Sequence, residues 1–220
     1  MSMEHDPTIG ILGAGRVGTA IARQALKAGY RVRIATAKPA AENALLVDIV
    51  TPGASAVESA EAAASDLVVL AIPLHKYRTL NPDDLAGKVV IDAMNYWSPV
   101  DGVFDDFESD PRTTSEIVDE FLAGSRVVKS LNHIGYHELG EDDLAAGDSA
   151  RRALALAGDD ANAKALVMTF IDRLGYDAVD AGPLASGRAF EPATEIFTGS
   201  HTAHQLRALV EAARHLADAA

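Results

Sequence analysis

Three glycines near the start of the chain have the spacing of a pyrophosphate-binding loop. The run Thr8-Ile9-Gly10-Ile11-Leu12 leads into Gly13-x-Gly15-x-x-Gly18, and a helical apolar pattern follows directly. In such a loop the first glycine forms the tight turn, the second lets the backbone approach the phosphates, and the third lets the helix pack on the strand. The helix N-terminus then offers free N–H groups and a positive dipole end to the anion. The spacing therefore predicts a dinucleotide site.

The turn after the second predicted strand indicates which dinucleotide binds. An NAD site needs an Asp or Glu there, because the carboxylate accepts hydrogen bonds from the ribose hydroxyls. No acid occurs between Asp6 and Glu42, and the turn reads Ala35-Thr36-Ala37-Lys38. Lys38 would pair with a 2′-phosphate, and Thr36 would donate a hydrogen bond to it. An ordinary polar turn is the alternative, and the sequence favours NADP(H) over NAD(H) as the cofactor.

The next central strand ends in Ala71-Ile72-Pro73, at the edge of a parallel sheet where ligands bind. Pro73 cannot donate a hydrogen bond to a neighbouring strand, so it ends this one. We therefore expect the backbone of Ile72 and Pro73 near the nicotinamide ribose. His75 follows as a candidate catalytic residue, with an exposed loop histidine as the equal alternative.

Two further strand ends carry polar side chains. Asn95 follows the strand 89–91, and Asn132 and His133 follow the strand 127–128. Because the carboxyl ends of parallel strands lie at one edge of the sheet, these residues should converge on the same cleft. Asn95 is a candidate cofactor-binding residue, and Asn132 and His133 are candidates for positioning the reacting ring. For His133, a locally hydrogen-bonded loop histidine is the alternative.

Strands alternate with helices along the chain, which predicts a doubly wound α/β fold with a mostly parallel sheet and helices on both faces. The runs 67–72, 89–91 and 127–128 are apolar throughout, as in buried parallel strands. Thr113-Thr114-Ser115-Glu116 forms a capping box that starts a helix. Residues 95–112 are expected to form a long acidic and aromatic loop. The remaining predicted elements are the strands 30–35, 54–57, 153–157 and 177–181, the helices 17–28, 39–50, 58–64, 159–174 and 201–217, and the loop 182–187.

The composition is that of a globular protein, with 48% apolar and 23% charged residues. We expect one domain over residues 1–220, with a loose tail at residues 1–7 and a small C-terminal extension over residues 150–220. No apolar run approaches the roughly 20 residues that span a bilayer, and the polar start does not resemble a signal peptide. These features predict a cytoplasmic protein that makes no membrane contact.

The net charge of −13 argues against nucleic acid or an anionic membrane as a partner. The chain has no cysteine, which excludes disulfides, thiolate catalysis and cysteine-ligated metals. His133 and His137 have the outer spacing of a zinc motif, but no Glu follows the first histidine and Gly135-Tyr136 does not suit the helix that the motif needs. We predict no metal site. No nucleophile elbow or phosphate-loop lysine motif occurs either.

The chain ends soon after the last predicted strand, so we expect no helical second domain that would build a substrate pocket. The second substrate should then be a flat molecule that lies in an open cleft against the nicotinamide. Tyr96 and Trp97, opposite Asn132 and His133, would supply an aromatic wall for it. A tryptophan packed on its own domain as a loop anchor is the alternative.

Six segments together resemble one family, the F-420-dependent NADP oxidoreductases and their bacterial relatives. The same segments are similar to the cytosolic reductase domain of the six-transmembrane ferric reductases. They are Gly13-Ala14-Gly15-Arg16-Val17-Gly18, Leu70-Ala71-Ile72-Pro73, Val90-Ile91-Asp92-Ala93-Met94-Asn95, Val128-Lys129-Ser130-Leu131-Asn132, Ala157-Gly158-Asp159-Asp160 and Asp180-Ala181-Gly182-Pro183-Leu184.

The resemblance implies a Rossmann domain, a homodimer, and hydride transfer between NADP(H) and the deazaflavin coenzyme F-420 or a flavin. It would place Arg16 and Val17 on the pyrophosphate, and it supports the positions already given for the 2′-phosphate and the nicotinamide. Hydride transfer between stacked rings makes little demand for a protein acid or base. Two alternatives stay open: a non-catalytic NADP-binding sensor or interaction module, and a reductase of a small carbonyl or imine in a dimer-built pocket.

Overall fold

The structure is a computed structural model that describes residues 7–218. The loose tail predicted for residues 1–7 therefore lies, apart from Pro7, outside the described residues. Within the described range, none of the helices has both the length and the apolar character needed to cross a membrane.

Eight strands form one sheet in the order β3-β2-β1-β4-β5-β6-β7-β8. Strands β1 to β6 pair in parallel, and β8 pairs in parallel with β7. The strands are β1 Thr8–Leu12, β2 Arg31–Ala35, β3 Ser55–Ala56, β4 Leu67–Leu70, β5 Val89–Asp92, β6 Arg126–Ser130, β7 Ala153–Gly158 and β8 Asp177–Gly182.

Helices pack on both faces of this sheet, as the sequence predicts. The α-helices are α1 Arg16–Lys27, α2 Ala40–Val50, α3 Ser59–Ala63, α4 Pro82–Leu85, α5 Ser98–Asp101, α6 Asp105–Glu108, α7 Thr114–Phe121, α8 Ala161–Arg173, α9 Glu195–Thr198 and α10 Ala203–Asp218. Short 3₁₀ turns cover Leu74–Thr79, Glu138–Gly140 and Leu184–Phe190. Alternate strand residues explain the two layers, since Val69 packs in the core on the α1 and α8 side while Val68 and Leu70 pack on the α3 and α7 side.

Local sequence signals fix several helix ends. Thr113 and Glu116 form the predicted capping box of α7, with the Thr113 Oγ1 accepting from the Glu116 backbone N–H at 3.2 Å and the Glu116 carboxylate accepting from the Thr113 N–H at 2.7 Å. Asp160 caps α8 by accepting from the Ala163 N–H at 2.7 Å. The doubly wound Rossmann fold is confirmed, and β7 and β8 of the C-terminal extension join the sheet.

Three details differ from the expectations. Strand β7 runs antiparallel to β6, because the connection over residues 131–152 carries only a short 3₁₀ turn and no crossover helix that would bring the chain back in parallel. The predicted loop 95–112 contains the short helices α5 and α6. The predicted loop 182–187 is the end of β8 followed by a 3₁₀ turn.

Candidate functional site

The glycine loop between β1 and α1 is built so tightly that two of its glycines admit no side chain. Gly13 has a φ of 123°, and a Cβ there would lie 2.3 Å from the Ala71 carbonyl oxygen. A Cβ on Gly18 would lie 1.9 Å from the Gly13 carbonyl oxygen. A Cβ on Gly15 would meet nothing within 4 Å, so this position is kept open toward the cleft. The roles predicted for the three glycines therefore have distinct steric reasons.

The N-terminus of α1 faces this opening without a protein cap. Gly15 is the capping residue, no side chain accepts from the first turn, and the first turn contains no acid. Its N–H groups are the unpaired donors that an anion at a helix start would accept from. Arg16, the first residue of α1, is exposed and donates from Nη1 to the Tyr136 hydroxyl at 3.2 Å.

A cleft of about 620 Å³ opens at the carboxyl ends of β1, β2 and β4. Most of the predicted cofactor residues line it together, while Gly18 is buried beneath it and Arg16, Val17 and Asn95 lie outside its lining. The predicted residues that it brings together are Gly13, Gly15, Thr36, Lys38, Ala71, Ile72 and Pro73.

The turn after β2 is held by hydrogen bonds that leave its lysine free. The Thr36 hydroxyl accepts from the Lys38 backbone N–H at 3.1 Å and from the Asn43 amide at 2.7 Å, so this hydroxyl shapes the turn. Lys38 is exposed and has no carboxylate partner among residues 7–218. The cation is therefore available to a ligand in the cleft, whereas the predicted phosphate contact of Thr36 competes with its bonds in the turn.

Lys76 is a second cation of this cleft, which the sequence indicated only as a polar group beside the nicotinamide ribose. It lies on the 3₁₀ turn after β4 and lines the same cleft as Lys38, so two cations face one cavity. Glu58 also lines the cleft, and its Oε1 accepts from the Ala40 backbone N–H at 2.7 Å. The only sequence signal for Lys76 was its place three residues after Pro73, which ends the strand.

A buried ion pair joins the carboxyl ends of β5 and β6. Asp92 and Lys129 are direct partners across the two strands, with their side chains 0% and 1% exposed and 3.4 Å between Oδ2 and Nζ. Lys129 Nζ also donates to the Met94 carbonyl oxygen, and Asp92 Oδ1 accepts from the Met94 N–H at 2.9 Å. The Ser115 hydroxyl donates to Asp92 Oδ2 at 2.6 Å. The pair thus fixes the turn that leads to Asn95.

Asn95 and Asn132 form a reciprocal amide pair between the two strand ends, as their predicted convergence requires. Asn95 Nδ2 donates to the Asn132 carbonyl oxygen at 2.7 Å, and Asn132 Nδ2 donates to Asn95 Oδ1 at 3.0 Å. The second hydrogen of Asn132 Nδ2 goes to the Phe190 carbonyl oxygen at 2.8 Å. Both Asn132 donors are therefore used within the protein, and its role is to position the neighbouring backbone.

His133 is buried and locally hydrogen-bonded, which agrees with the alternative given for it, and its ring does not line the cleft. His133 is 3% exposed, and its Nε2 accepts from the Ala155 backbone N–H at 2.9 Å. Its Nδ1 donates to Asn132 Oδ1 at 3.1 Å, because an amide oxygen can only accept. The two contacts assign the same neutral tautomer, with the proton on Nδ1. Burial, helped by the positive charges of Arg152 and Lys129, lowers the pKa of His133 to about 3.

His75 and Trp97 lie on the outer side of the site. His75 is exposed and stacks on Phe104 with the ring centroids 5.1 Å apart, and it does not line the cleft. Trp97 is 54% exposed, so it is not a buried loop anchor. It borders a second cavity of about 350 Å³ together with Tyr96, Phe107 and Arg188. Neither Asn95 nor Asn132 lines this cavity, although Tyr96, which follows Asn95 in the chain, does.

The chain is similar to several known proteins and to one family model. Residues 8–96, which contain the glycine loop and the strands β1 to β5, match the family model described as NADP oxidoreductase, coenzyme F420-dependent. The chain is 26% identical over 189 residues to the metalloreductase STEAP3 of Rattus norvegicus. That match covers 84% of this chain and 36% of the length of STEAP3.

Solved structures show the same fold at similar identity. A hypothetical protein of Sinorhizobium meliloti superposes with a TM-score of 0.75 at 27% identity, covering 91% of this chain and 97% of that one. A putative F420-dependent NADP-reductase of Arthrobacter sp. FB24 superposes with a TM-score of 0.70 at 26% identity, covering 83% of this chain and 88% of that one. The resemblance stated from the sequence is confirmed.

Proposed function

We propose that this relative of the F420-dependent NADP oxidoreductases passes a hydride between NADP(H) and a flat ring acceptor, a deazaflavin such as coenzyme F-420 or a flavin. In the direction of acceptor reduction, NADPH gives up a hydride, the acceptor ring takes it together with one proton from solvent, and NADP⁺ remains. The cofactor supplies the hydride chemistry, and the protein supplies binding and alignment.

The cofactor part of the proposal is supported by the charges of the cleft. Lys38 and Lys76 both line it, and the turn after β2 contains no acid that would repel a 2′-phosphate. The uncapped N-terminus of α1 and the open position at Gly15 suit the pyrophosphate. Ala71, Ile72 and Pro73 line the end of the cleft toward β5, where the nicotinamide would lie.

The observation that carries the proposed reaction is that His133 and Asn132, the polar residues after β6, are uncharged and use their hydrogen-bonding groups within the protein. His133 is buried with a pKa of about 3, and both of its ring nitrogens are engaged. Both amide hydrogens of Asn132 are also engaged within the protein. Neither side chain can act as a general acid at neutral pH. Reduction of a carbonyl or imine needs a positioned proton donor, whereas ring-to-ring hydride transfer needs alignment.

The acceptor part is supported by the aromatic side chains of the 350 Å³ cavity, whose lining also contains Glu108, Asp110 and Glu191. Trp97 is exposed there, and Tyr96 and Phe107 lie on the same lining. An aromatic wall adds about 0.5–1.5 kcal/mol to the binding of a flat ring beyond the area it buries.

A panel of acceptors tests the proposal. The protein is mixed with NADPH and, separately, with coenzyme F-420, FMN, riboflavin, a small ketone or a cyclic imine, and NADPH oxidation is followed. We expect turnover with at least one ring acceptor and none with the ketone or imine. Turnover of the ketone or imine alone would contradict the proposal. Tight NADPH binding without oxidation by any of them would favour the sensor.

We also propose the homodimer that the resemblance implies. Helix α2 offers a surface for it, because Leu45 and Ile49 are 72% and 66% exposed on neighbouring turns. Sedimentation velocity at micromolar concentration checks this proposal, and a purely monomeric profile would contradict it.

A further inference from the structure

The loop after β6 brings a tyrosine to the N-terminus of α1. The Tyr136 hydroxyl accepts from Arg16 Nη1 at 3.2 Å, although 120 positions separate the two residues in the chain. The guanidinium carbon of Arg16 also lies 5.5 Å from the centroid of the Tyr136 ring. One aromatic side chain therefore contacts the guanidinium of Arg16 through both its hydroxyl and its ring.

Arg16 stands at a position where a positive charge is unfavourable without an anion. It is the first residue of α1, next to the positive end of the helix dipole, and the first turn contains no acid. Among residues 7–218, no carboxylate forms an ion pair with Arg16. The side chain is exposed and its contact is a neutral hydroxyl. Such a place suits a guanidinium that is kept ready for an anionic ligand at the helix start.

The loop that carries Tyr136 is anchored on both sides. Glu138 Oε2 accepts from the Gly135 N–H at 3.0 Å and from Arg152 Nη1 at 2.8 Å. These bonds hold the pKa of Glu138 below its usual range, so the anchor stays charged at neutral pH. The Tyr176 hydroxyl donates to the Leu139 carbonyl oxygen at 2.9 Å. The His137 ring packs on Tyr136 with the centroids 4.1 Å apart.

The two partners of this contact differ in mobility, so Tyr136 restrains Arg16 and not the reverse. Tyr136 sits on a fixed platform, while Arg16 has a long, exposed side chain whose rotamers would otherwise be free. A side chain that is immobilised only when a ligand binds loses conformational entropy at that moment. A side chain that is already held in place does not lose it.

We propose that Tyr136 is a positioning residue of the cofactor site: it holds Arg16 across the N-terminus of α1 so that the guanidinium meets the cofactor pyrophosphate already ordered. The inference rests on the proposed NADP(H) site. The pyrophosphate is common to NADPH and NADH, whereas Lys38, on the turn after β2, is proposed to pair with the 2′-phosphate alone. Tyr136 should therefore affect both dinucleotides by the same factor.

Binding of NADPH and NADH to the full chain, measured by calorimetry, tests the proposal. Tyr136→Phe removes the hydrogen bond, and Tyr136→Leu removes the ring as well. We expect each Kd to rise by about two- to tenfold, the larger value for Tyr136→Leu, because the ordering of one long side chain is then lost on binding. Lys38→Ala in the same experiment should weaken NADPH binding only.

Two controls separate positioning from a general structural effect. In the Arg16→Ala background, Tyr136→Phe should change neither Kd further, because the side chain that it positions is gone. Tyr30→Phe is the matched control, because the Tyr30 ring packs on an arginine, Arg173, at the other end of α1 with 4.2 Å between guanidinium carbon and centroid. It should leave both Kd values unchanged. Thermal unfolding of each variant verifies that the fold is retained.

Each contrary outcome has its own meaning. A wild-type protein that binds neither dinucleotide would overturn the proposed cofactor site and this inference with it. A wild type that binds while both Tyr136 variants bind as tightly would overturn the role of Tyr136 alone. Tighter binding in Tyr136→Phe, unequal factors for the two dinucleotides, or an effect that persists without Arg16 would overturn it as well.

Discussion

Replacement of Lys38 by alanine is the most informative perturbation of cofactor choice. Lys38 lines the cleft, is exposed, and has no carboxylate partner within residues 7–218, so its removal leaves no buried charge behind. The turn itself is held by Thr36 and Asn43 and should survive the substitution. Any change in affinity then reports the contact of the ammonium with the ligand.

The expected magnitude follows from the exposure of the lysine. A solvent-exposed ion pair contributes about 0.2–1 kcal/mol, and a hydrogen bond to a charged group adds to this. We therefore expect Lys38→Ala to cost about 1 kcal/mol, or roughly fivefold in the NADPH Kd, with no change for NADH. Lys76→Ala should act in the same sense, and the double variant should lose about 2 kcal/mol, or roughly 30-fold, if the two cations act independently.

Calorimetric titration with both dinucleotides at low and high salt is the assay. The loss in Lys38→Ala should shrink at high salt, because ions screen exposed charges. Glu58→Gln is a control of opposite sign, since it removes a negative charge from the same cleft and should strengthen NADPH binding. Equal affinity of the wild type for NADPH and NADH, or an equal loss for both in Lys38→Ala, would refute the reasoning.

Three further predictions concern the acceptor, the buried histidine and the glycine loop. Trp97→Ala should raise the KM of the ring acceptor more than that of NADPH, while Val103→Ala, 75% exposed on the same segment, should change neither; steady-state kinetics decides this. Because the folded pKa of His133 is about 3 and its unfolded value is near 6.5, the unfolded chain binds the extra proton as the pH falls below about 6.5, and stability should drop by up to about 1.4 kcal/mol per pH unit. The free energy of unfolding of His133→Gln, measured with urea at a series of pH values, should lack this dependence on pH. An unchanged pH dependence would contradict the assignment. Gly15→Ala should keep the melting temperature but weaken NADPH binding, whereas Gly18→Ala should cost about 1–3 kcal/mol of stability because its Cβ would collide with the Gly13 carbonyl oxygen; thermal unfolding and calorimetry test the pair.

The sequence predicts those parts of the fold in which the local conformation or the burial of a segment requires a particular residue type. Gly13 is required by its own φ of 123°, Gly18 by its close approach to the Gly13 carbonyl oxygen five residues earlier, and the Thr113–Glu116 capping box closes within four residues. The apolar runs predict buried strands because burial on both faces leaves no alternation. The direction of β7 was not predictable in this way, since an apolar run has the same pattern in both directions.

The sequence predicts which strand ends lie together in the candidate site, but it does not predict the direction in which their side chains point. The convergence of Asn95 and Asn132 follows from the parallel strands, and the structure shows it. The orientation of His133 depends on the turn at Leu131, whose φ of 62° is a left-handed conformation that a leucine rarely adopts. No local sequence pattern predicts a left-handed conformation at a leucine. The same holds for Lys76, which reaches the cleft through a 3₁₀ turn.

The central claim is that the hydride passes directly from the nicotinamide to the acceptor ring. Its most direct test uses NADPH that carries deuterium on one face of nicotinamide C4, with a deazaflavin as the acceptor, because the C5 hydrogen of a reduced deazaflavin does not exchange with water. We expect the deuterium from one face to appear at C5 of the product. NADPH labelled on the other face is tested in parallel. Oxidation of both labelled forms with no deuterium in the reduced deazaflavin from either, or no reduction of the deazaflavin or of a flavin at any concentration while NADPH binds, would contradict the claim.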